Sequence, residues 1–178
     1  RFAESKVSVL GLDVDSKKVD AINAGQSYIR HIDAEQIALA RNSGQLEAST
    51  DFSRVGEVDA VLICVPTPLN QYREPDISYV LKSGAAIAPY LAQRDDDGER
   101  INNDEQENQS SAITHPPSTP SKRAKLVVLE STTYPGTTDT DLREVLEAGS
   151  GLKAGVDFHL AFSPEREDPG RKDHSVKT

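Results

Sequence analysis

Four short apolar runs, at residues 7–12, 60–65, 126–129 and 158–162, limit most strongly what this chain can fold into. Most are nearly continuous rather than alternating, and rich in leucine or β-branched residues. That is the pattern of strands covered on both faces of a parallel sheet. Ser49-Thr50-Asp51 closes a shorter strand of the same kind. Helical patterns lie between the runs. Ser16 can cap a helix that carries Val19 and Ile22 on one face, with Gly25 placed to end it. Asp33 followed by Gln36 reads as a capping box, with Gly44 closing that helix. Asp76 opens a longer helix with an apolar stripe through Val80, Gly84, Ile87 and Leu91. Leu142, Val145 and Leu146 repeat the pattern before Gly149. Strands alternating with helices predict a doubly wound α/β sheet with right-handed crossovers.

One segment stands apart. Between 94 and 124 only Ile101, Ala112, Ile113 and Ala124 are apolar, beside an acidic cluster at Asp95-Asp96-Asp97 and a proline-rich stretch from His115 to Pro120. Such a stretch cannot bury enough apolar surface to offset the entropy of ordering it, so a disordered insertion is expected between two structured elements. Composition excludes several other classes. The chain of 178 residues carries 20 basic against 29 acidic side chains, a formal charge of −9, which is the wrong sign for coating nucleic acid. One cysteine excludes an internal disulfide or a multi-cysteine zinc site and suits the reducing cytoplasm. No apolar run approaches the ~20 residues of a membrane span. There is no methionine, and Arg1-Phe2-Ala3-Glu4 reads as the middle of a helix, so a fragment is expected.

In a doubly wound sheet, ligands bind beyond the carboxyl ends of the strands, and each strand end here carries polar groups. The first ends Gly11-Leu12-Asp13-Val14-Asp15, with Lys18 a turn later. A carboxylate at such a strand end can accept hydrogen bonds from both hydroxyls of an adenosine ribose and repels a 2′-phosphate, favouring NAD over NADP. Asp15 is better placed as a helix cap; Asp13, two residues earlier, is the ribose candidate. The strand at 60–65 ends Cys64-Val65-Pro66-Thr67-Pro68, where two prolines stop the chain and leave the Thr67 hydroxyl to meet a ligand. Cys64, at the end of an apolar strand, reads as a buried packing thiol. A third strand ends Glu130-Ser131-Thr132-Thr133-Tyr134-Pro135-Gly136-Thr137-Thr138, dense in hydroxyls and leading into a helix N-terminus. Thr133 is the ligand candidate there, and Thr137 or Thr138 the cap. The last ends Ser163-Pro164-Glu165-Arg166-Glu167-Asp168-Pro169-Gly170, with Glu165 placed to act as a general base. His31, His115, His159 and His174 show no metal-ligand spacing.

Taken in chain order, these strand ends, together with Lys18-Val19 and Asn23-Ala24-Gly25-Gln26-Ser27-Tyr28-Ile29, resemble the UDP-glucose/GDP-mannose dehydrogenase family. The strings from Ser131 to Thr138 and from Ser163 to Gly170 look most like its bacterial UDP-N-acetylglucosamine or UDP-N-acetylmannosamine 6-dehydrogenase branch. The resemblance covers nearly all of the chain outside 94–124. It implies a Rossmann-like, mostly parallel sheet that lacks the first strand and its glycine loop. It also implies oxidation of the C6 alcohol of a UDP-sugar to the carboxylate by way of a thioester-bound intermediate, with two NAD reduced, in polysaccharide precursor biosynthesis. Asp13 would then hold the adenosine ribose with support from Lys18, and Val65, Pro66 and Thr67 would line the nicotinamide side. Thr133 would help hold cofactor and catalytic water, Glu165 would act in acid–base chemistry, and Arg166 would sit near the substrate.

The family's catalytic cysteine, its lysine and asparagine partners and its UDP-binding domain would fall after Thr178, and its phosphate loop before Arg1. Residues 1–178 are therefore expected to form one partial NAD-binding domain, interrupted at 94–124 and inactive alone. In the complete protein it would belong to a cytoplasmic homo-oligomer with a UDP-sugar as substrate. Two alternatives stand beside this reading: a related Rossmann dehydrogenase of β-hydroxy acids, and a non-catalytic interaction protein that uses the acidic, proline-rich segment.

Overall fold

The computed structural model describes residues 2–29, 32–92 and 124–164. The chain divides into two compact units, residues 1–54 and 55–178.

In the first unit, β1 (Val9–Leu12) pairs in parallel with β2 (Leu46–Ser49), Val9 opposite Leu46 and Leu12 opposite Ser49. Two helices, α1 (Ser16–Asn23) and α2 (Ala34–Asn42), connect the strands. Asp15, not Ser16, caps α1, its carboxylate accepting the Lys17 N–H. Asp33 does stand at the start of α2, but its side chain makes no capping hydrogen bond, so the expected capping box is not formed. The Asn-Ala-Gly string has a structural task. Asn23, the last residue of α1, donates through Nδ2 to the Ala48 carbonyl at 2.8 Å and accepts from the Ala48 N–H at 3.0 Å. Its amide thus satisfies both backbone groups of a β2 residue, as a neighbouring strand would.

In the second unit, β3 (Ala60–Ile63), β4 (Lys125–Leu129) and β5 (Phe158–Phe162) form a parallel sheet in that order, with Ile63 opposite Leu129 and Leu129 opposite Phe162. Two helices, α3 (Ser78–Ile87) and α4 (Arg143–Ser150), pack on each other. The core is Val80, Ile87, Leu91, Val127, Leu129, Leu142, Leu146 and Phe158, all buried. Burying each such side chain contributes roughly 1.5–3 kcal/mol before entropy is counted. The strands alternate: Lys125, Val127 and Leu129 are buried, whereas Ala60, Leu62, Leu126 and His159 on the other face are exposed. Coverage of both faces, expected from the apolar runs, is therefore seen on one face among the described residues.

Two details depart from the sequence pattern. The chain enters α4 through a π-helical turn at Thr137–Leu142, and α4 runs through Gly149 to end at Gly151. The reason for the second is close packing. A Cβ on Gly149 would lie 2.6 Å from the Ala88 Cβ, so this glycine is a helix contact rather than a helix stop. The expected insertion lies outside the described residues except for Ala124.

Candidate functional site

Among the described residues the strands run parallel within their sheets, so each sheet gathers its carboxyl ends along one edge. Asp13 follows β1 directly. Its Oδ1 accepts the Asp15 N–H at 2.9 Å, and its Oδ2 pairs with Lys18 Nζ at 3.2 Å. The carboxylate is one-third exposed. A carboxylate offers about four acceptor positions, so among the described residues these contacts leave one position on each oxygen for a ligand's donors. Asp13 holds the Lys18 ammonium above its ordinary lysine value, chiefly through the hydrogen bond and secondly through charge. Lys18 Nζ also lies 5.9 Å from the Tyr28 ring centre, which orients the cation further. The arrangement is a fixed anion with a fixed counter-ion, both partly open to solvent.

In the second unit the loops after β3 and β4 are stitched together. The regular ladder ends where Glu130 N–H donates to the Ile63 carbonyl at 3.0 Å. Beyond it, Ser131 Oγ accepts the Val65 N–H at 3.0 Å and donates to the Val65 carbonyl at 2.6 Å. Pro66 has no N–H to offer. Thr67 Oγ1 then donates to the Thr132 carbonyl at 2.7 Å. The structure thus brings Val65, Pro66 and Thr67 against Ser131 and Thr132, with Thr133 next in the chain. Because its proton is engaged, the Thr67 hydroxyl can meet a ligand only as an acceptor. Thr133 is half-buried, and its hydroxyl has no hydrogen bond among the described residues.

Ser131 was not legible as a site residue from the motif alone, yet a signal existed. Continuing the buried alternation of Lys125, Val127 and Leu129 by two residues puts Ser131 on the buried face, where a hydroxyl needs partners. Cys64 is a correction. It follows Ala60 and Leu62 on the uncovered face, so it is exposed, and its thiol lies 3.3 Å from Glu130 Oε2. The hydroxyl-rich loop also differs from expectation. Gly136 takes φ 102°, a left-handed conformation that a side chain would strain, and turns the chain into the π-helical segment. Thr137 is buried and donates back to the Tyr134 carbonyl at 2.9 Å instead of capping. Tyr134 donates to Asp141 at 2.9 Å, a bond that raises its phenol above the usual value.

Asp13 and Lys18 belong to the first unit, and Val65, Pro66, Thr67 and Thr133 to the second. Glu165 and Arg166 lie outside the described residues. Among the described residues no group of three His, Cys, Asp or Glu is arranged to hold a metal, and no helix is long and apolar enough to cross a membrane.

The sequence matches the NAD binding domain of the UDP-glucose/GDP-mannose dehydrogenase family over residues 1–96 and 109–177. The chain belongs to this family. It is 25% identical over 173 residues to UDP-N-acetyl-D-glucosamine 6-dehydrogenase of Pseudomonas aeruginosa, covering 97% of this chain and 33% of that protein. It is 31% identical over 177 residues to UDP-N-acetyl-D-mannosamine dehydrogenase of Escherichia coli, covering 96% of this chain and 34% of the relative. Among solved structures, a ternary complex of GDP-mannose dehydrogenase from Pseudomonas aeruginosa superposes with a TM-score of 0.72 at 28% identity, over 92% of this chain and 32% of that one. The chain therefore spans about a third of the length of these relatives. The family match settles the fold as Rossmann-like and the cofactor as NAD. The match resumes at 109, inside the hydrophilic stretch, and its two segments leave only 97–108 of that stretch unmatched.

Proposed function

We propose that this chain is the NAD-binding part of a nucleotide-sugar 6-dehydrogenase whose complete form oxidises the C6 alcohol of a UDP-N-acetylhexosamine to the carboxylate. The observation that carries the reading is the carboxylate of Asp13. It is anchored by one backbone N–H and one ammonium, and it keeps a free acceptor position on each oxygen at the end of a parallel strand. That donor-hungry geometry fits the two hydroxyls of an adenosine ribose, and its charge disfavours a 2′-phosphate. Lys18 holds the Asp13 carboxylate in orientation. NAD, when bound, accepts the hydride that leaves the sugar carbon. The residues of the second unit prepare for it: Val65 and Pro66 present a fixed backbone edge, Thr67 offers an acceptor, and the unengaged hydroxyl of Thr133 is available to a water or a ligand oxygen.

Family resemblance assigns Glu165 to acid–base work and Arg166 to the substrate. It also supports a homo-oligomer and a cytoplasmic setting for the complete protein. Residues 1–178 are read as one partial dinucleotide-binding domain.

The test is stoichiometric. The complete protein, given a UDP-N-acetylhexosamine and NAD, should produce two NADH for each sugar carboxylate formed, followed by ultraviolet absorbance and product mass. Formation of one NADH with release of a ketone, or no NADH at all, would refute the reading.

A further inference from the structure

We infer that Ser131 is a positioning residue for the nicotinamide half of the cofactor, acting through the backbone of Val65. The inference rests on the reading of the β3 and β4 loops as the nicotinamide side. Val65 lies beyond the last regular rung between β3 and β4, and the residue after it is a proline, so nothing in the sheet itself fixes this peptide. Both of its backbone groups are nevertheless satisfied by one side chain, the Ser131 hydroxyl, which accepts at 3.0 Å and donates at 2.6 Å. Ser131 is 6% exposed, so water does not compete for that hydroxyl. A second, oppositely directed cross-link from Thr67 to the Thr132 carbonyl closes the stitch at 2.7 Å. The pair of bonds extends the sheet's order past the point where its ladder stops. It fixes the ψ of Val65, and with it the direction in which Pro66 and Thr67 leave the sheet.

Removing the hydroxyl spares the Thr67–Thr132 bond and the fold's core but frees the Val65 backbone to rotate, and with it the path of Pro66 and Thr67. A binding surface loosened in this way loses affinity only for the part of the ligand that it faces. Adenosine-end contacts, assigned to Asp13 and Lys18, should be unaffected.

The experiment compares two probes, NAD and ADP-ribose, titrated by calorimetry into the complete protein and its Ser131→Ala variant. ADP-ribose carries the adenosine end and both phosphates but no nicotinamide. The Kd for NAD should rise about fivefold to tenfold, as expected when the two Ser131 bonds that order this backbone are lost and part of their free energy must be recovered on binding, while that for ADP-ribose stays the same. Amide exchange should show the Val65 N–H losing protection while Val61 and Ile63, whose backbone groups face β4, keep theirs. Equal weakening of both probes, or of neither, overturns the inference while leaving the NAD assignment standing. Failure of the unaltered protein to bind either probe overturns both. Should the variant not fold, exchange in the unaltered protein decides: a Val65 amide as protected as that of Glu130 supports the stitch, and one exchanging freely refutes it.

Discussion

Gly149 offers the sharpest test of the packing between α4 and the turn that follows α3. It lies near the end of α4, where a glycine reads as a helix terminator, yet the helix continues past it to Gly151. A Cβ added there would sit 2.6 Å from the Cβ of Ala88, which is fully buried in the 3-10 turn following α3. Carbon atoms in contact prefer about 3.5–4.0 Å, so Gly149→Ala would force the two segments apart by about 1 Å. The Ala88 methyl is fixed to its backbone and cannot swing aside. Overpacking of this kind costs about 1–3 kcal/mol, and the better helix propensity of alanine offsets at most ~1 kcal/mol. Gly149→Ala should therefore lower stability by about 1–2 kcal/mol, read by urea unfolding as a lower midpoint at constant m. In an Ala88→Gly background the opposing methyl is gone, and the same substitution should become neutral or stabilising. A Gly149→Ala protein as stable as the parent would refute the claim of close contact.

Two pH dependences follow from single side chains. Glu147 accepts from Arg143 at 2.9 Å, from the Ala154 N–H at 3.1 Å and from Lys153 at 3.4 Å, contacts that hold its carboxyl at about 2. Its stabilising effect is complete above the ordinary value of 4.5 and is lost as pH falls towards 2, so Glu147→Gln should flatten the acid limb of stability between those values; an unchanged limb would contradict this. Lys125 shows the opposite case. Its ammonium is buried and donates to the Gly56 and Val58 carbonyls, and burial lowers its pKa below the ordinary 10.5. The unfolded chain then binds more protons than the folded one, so stability should rise with pH towards 10.5 and Lys125→Met should abolish that rise; a parent whose stability is flat over that range would refute it.

How much of this was legible in the sequence follows from which signals are local. The strands could be read because short, nearly continuous apolar runs mark strands of a parallel sheet, and β5 occupies the expected run, Phe158–Phe162, even though only one face is covered among the described residues. The stripe on α3 was equally readable, including Gly84, where a Cβ would meet Leu142 Cδ1 at 2.7 Å. Gly149 was misread because a helix stop and a close helix contact call for the same residue, and only the position of Ala88 separates them. Cys64 was misread because an apolar run does not tell which of its faces is covered. At the site, Asp13 and Thr67 were visible as polar groups interrupting strand ends. Ser131 was hidden among neighbouring hydroxyls until its partner, Val65, far away in the chain, came into view. The π-helical turn at Thr137–Leu142 has no counterpart in any propensity pattern.

The most direct test of the account is the affinity of the complete protein for NAD before and after Asp13→Ala. The substitution removes both acceptor oxygens and the anchor of Lys18, and the account predicts a Kd about tenfold higher or more, consistent with the loss of charge-assisted hydrogen bonds. Equal affinity in the two proteins would contradict it, because the anchored carboxylate at the end of β1 would then hold nothing.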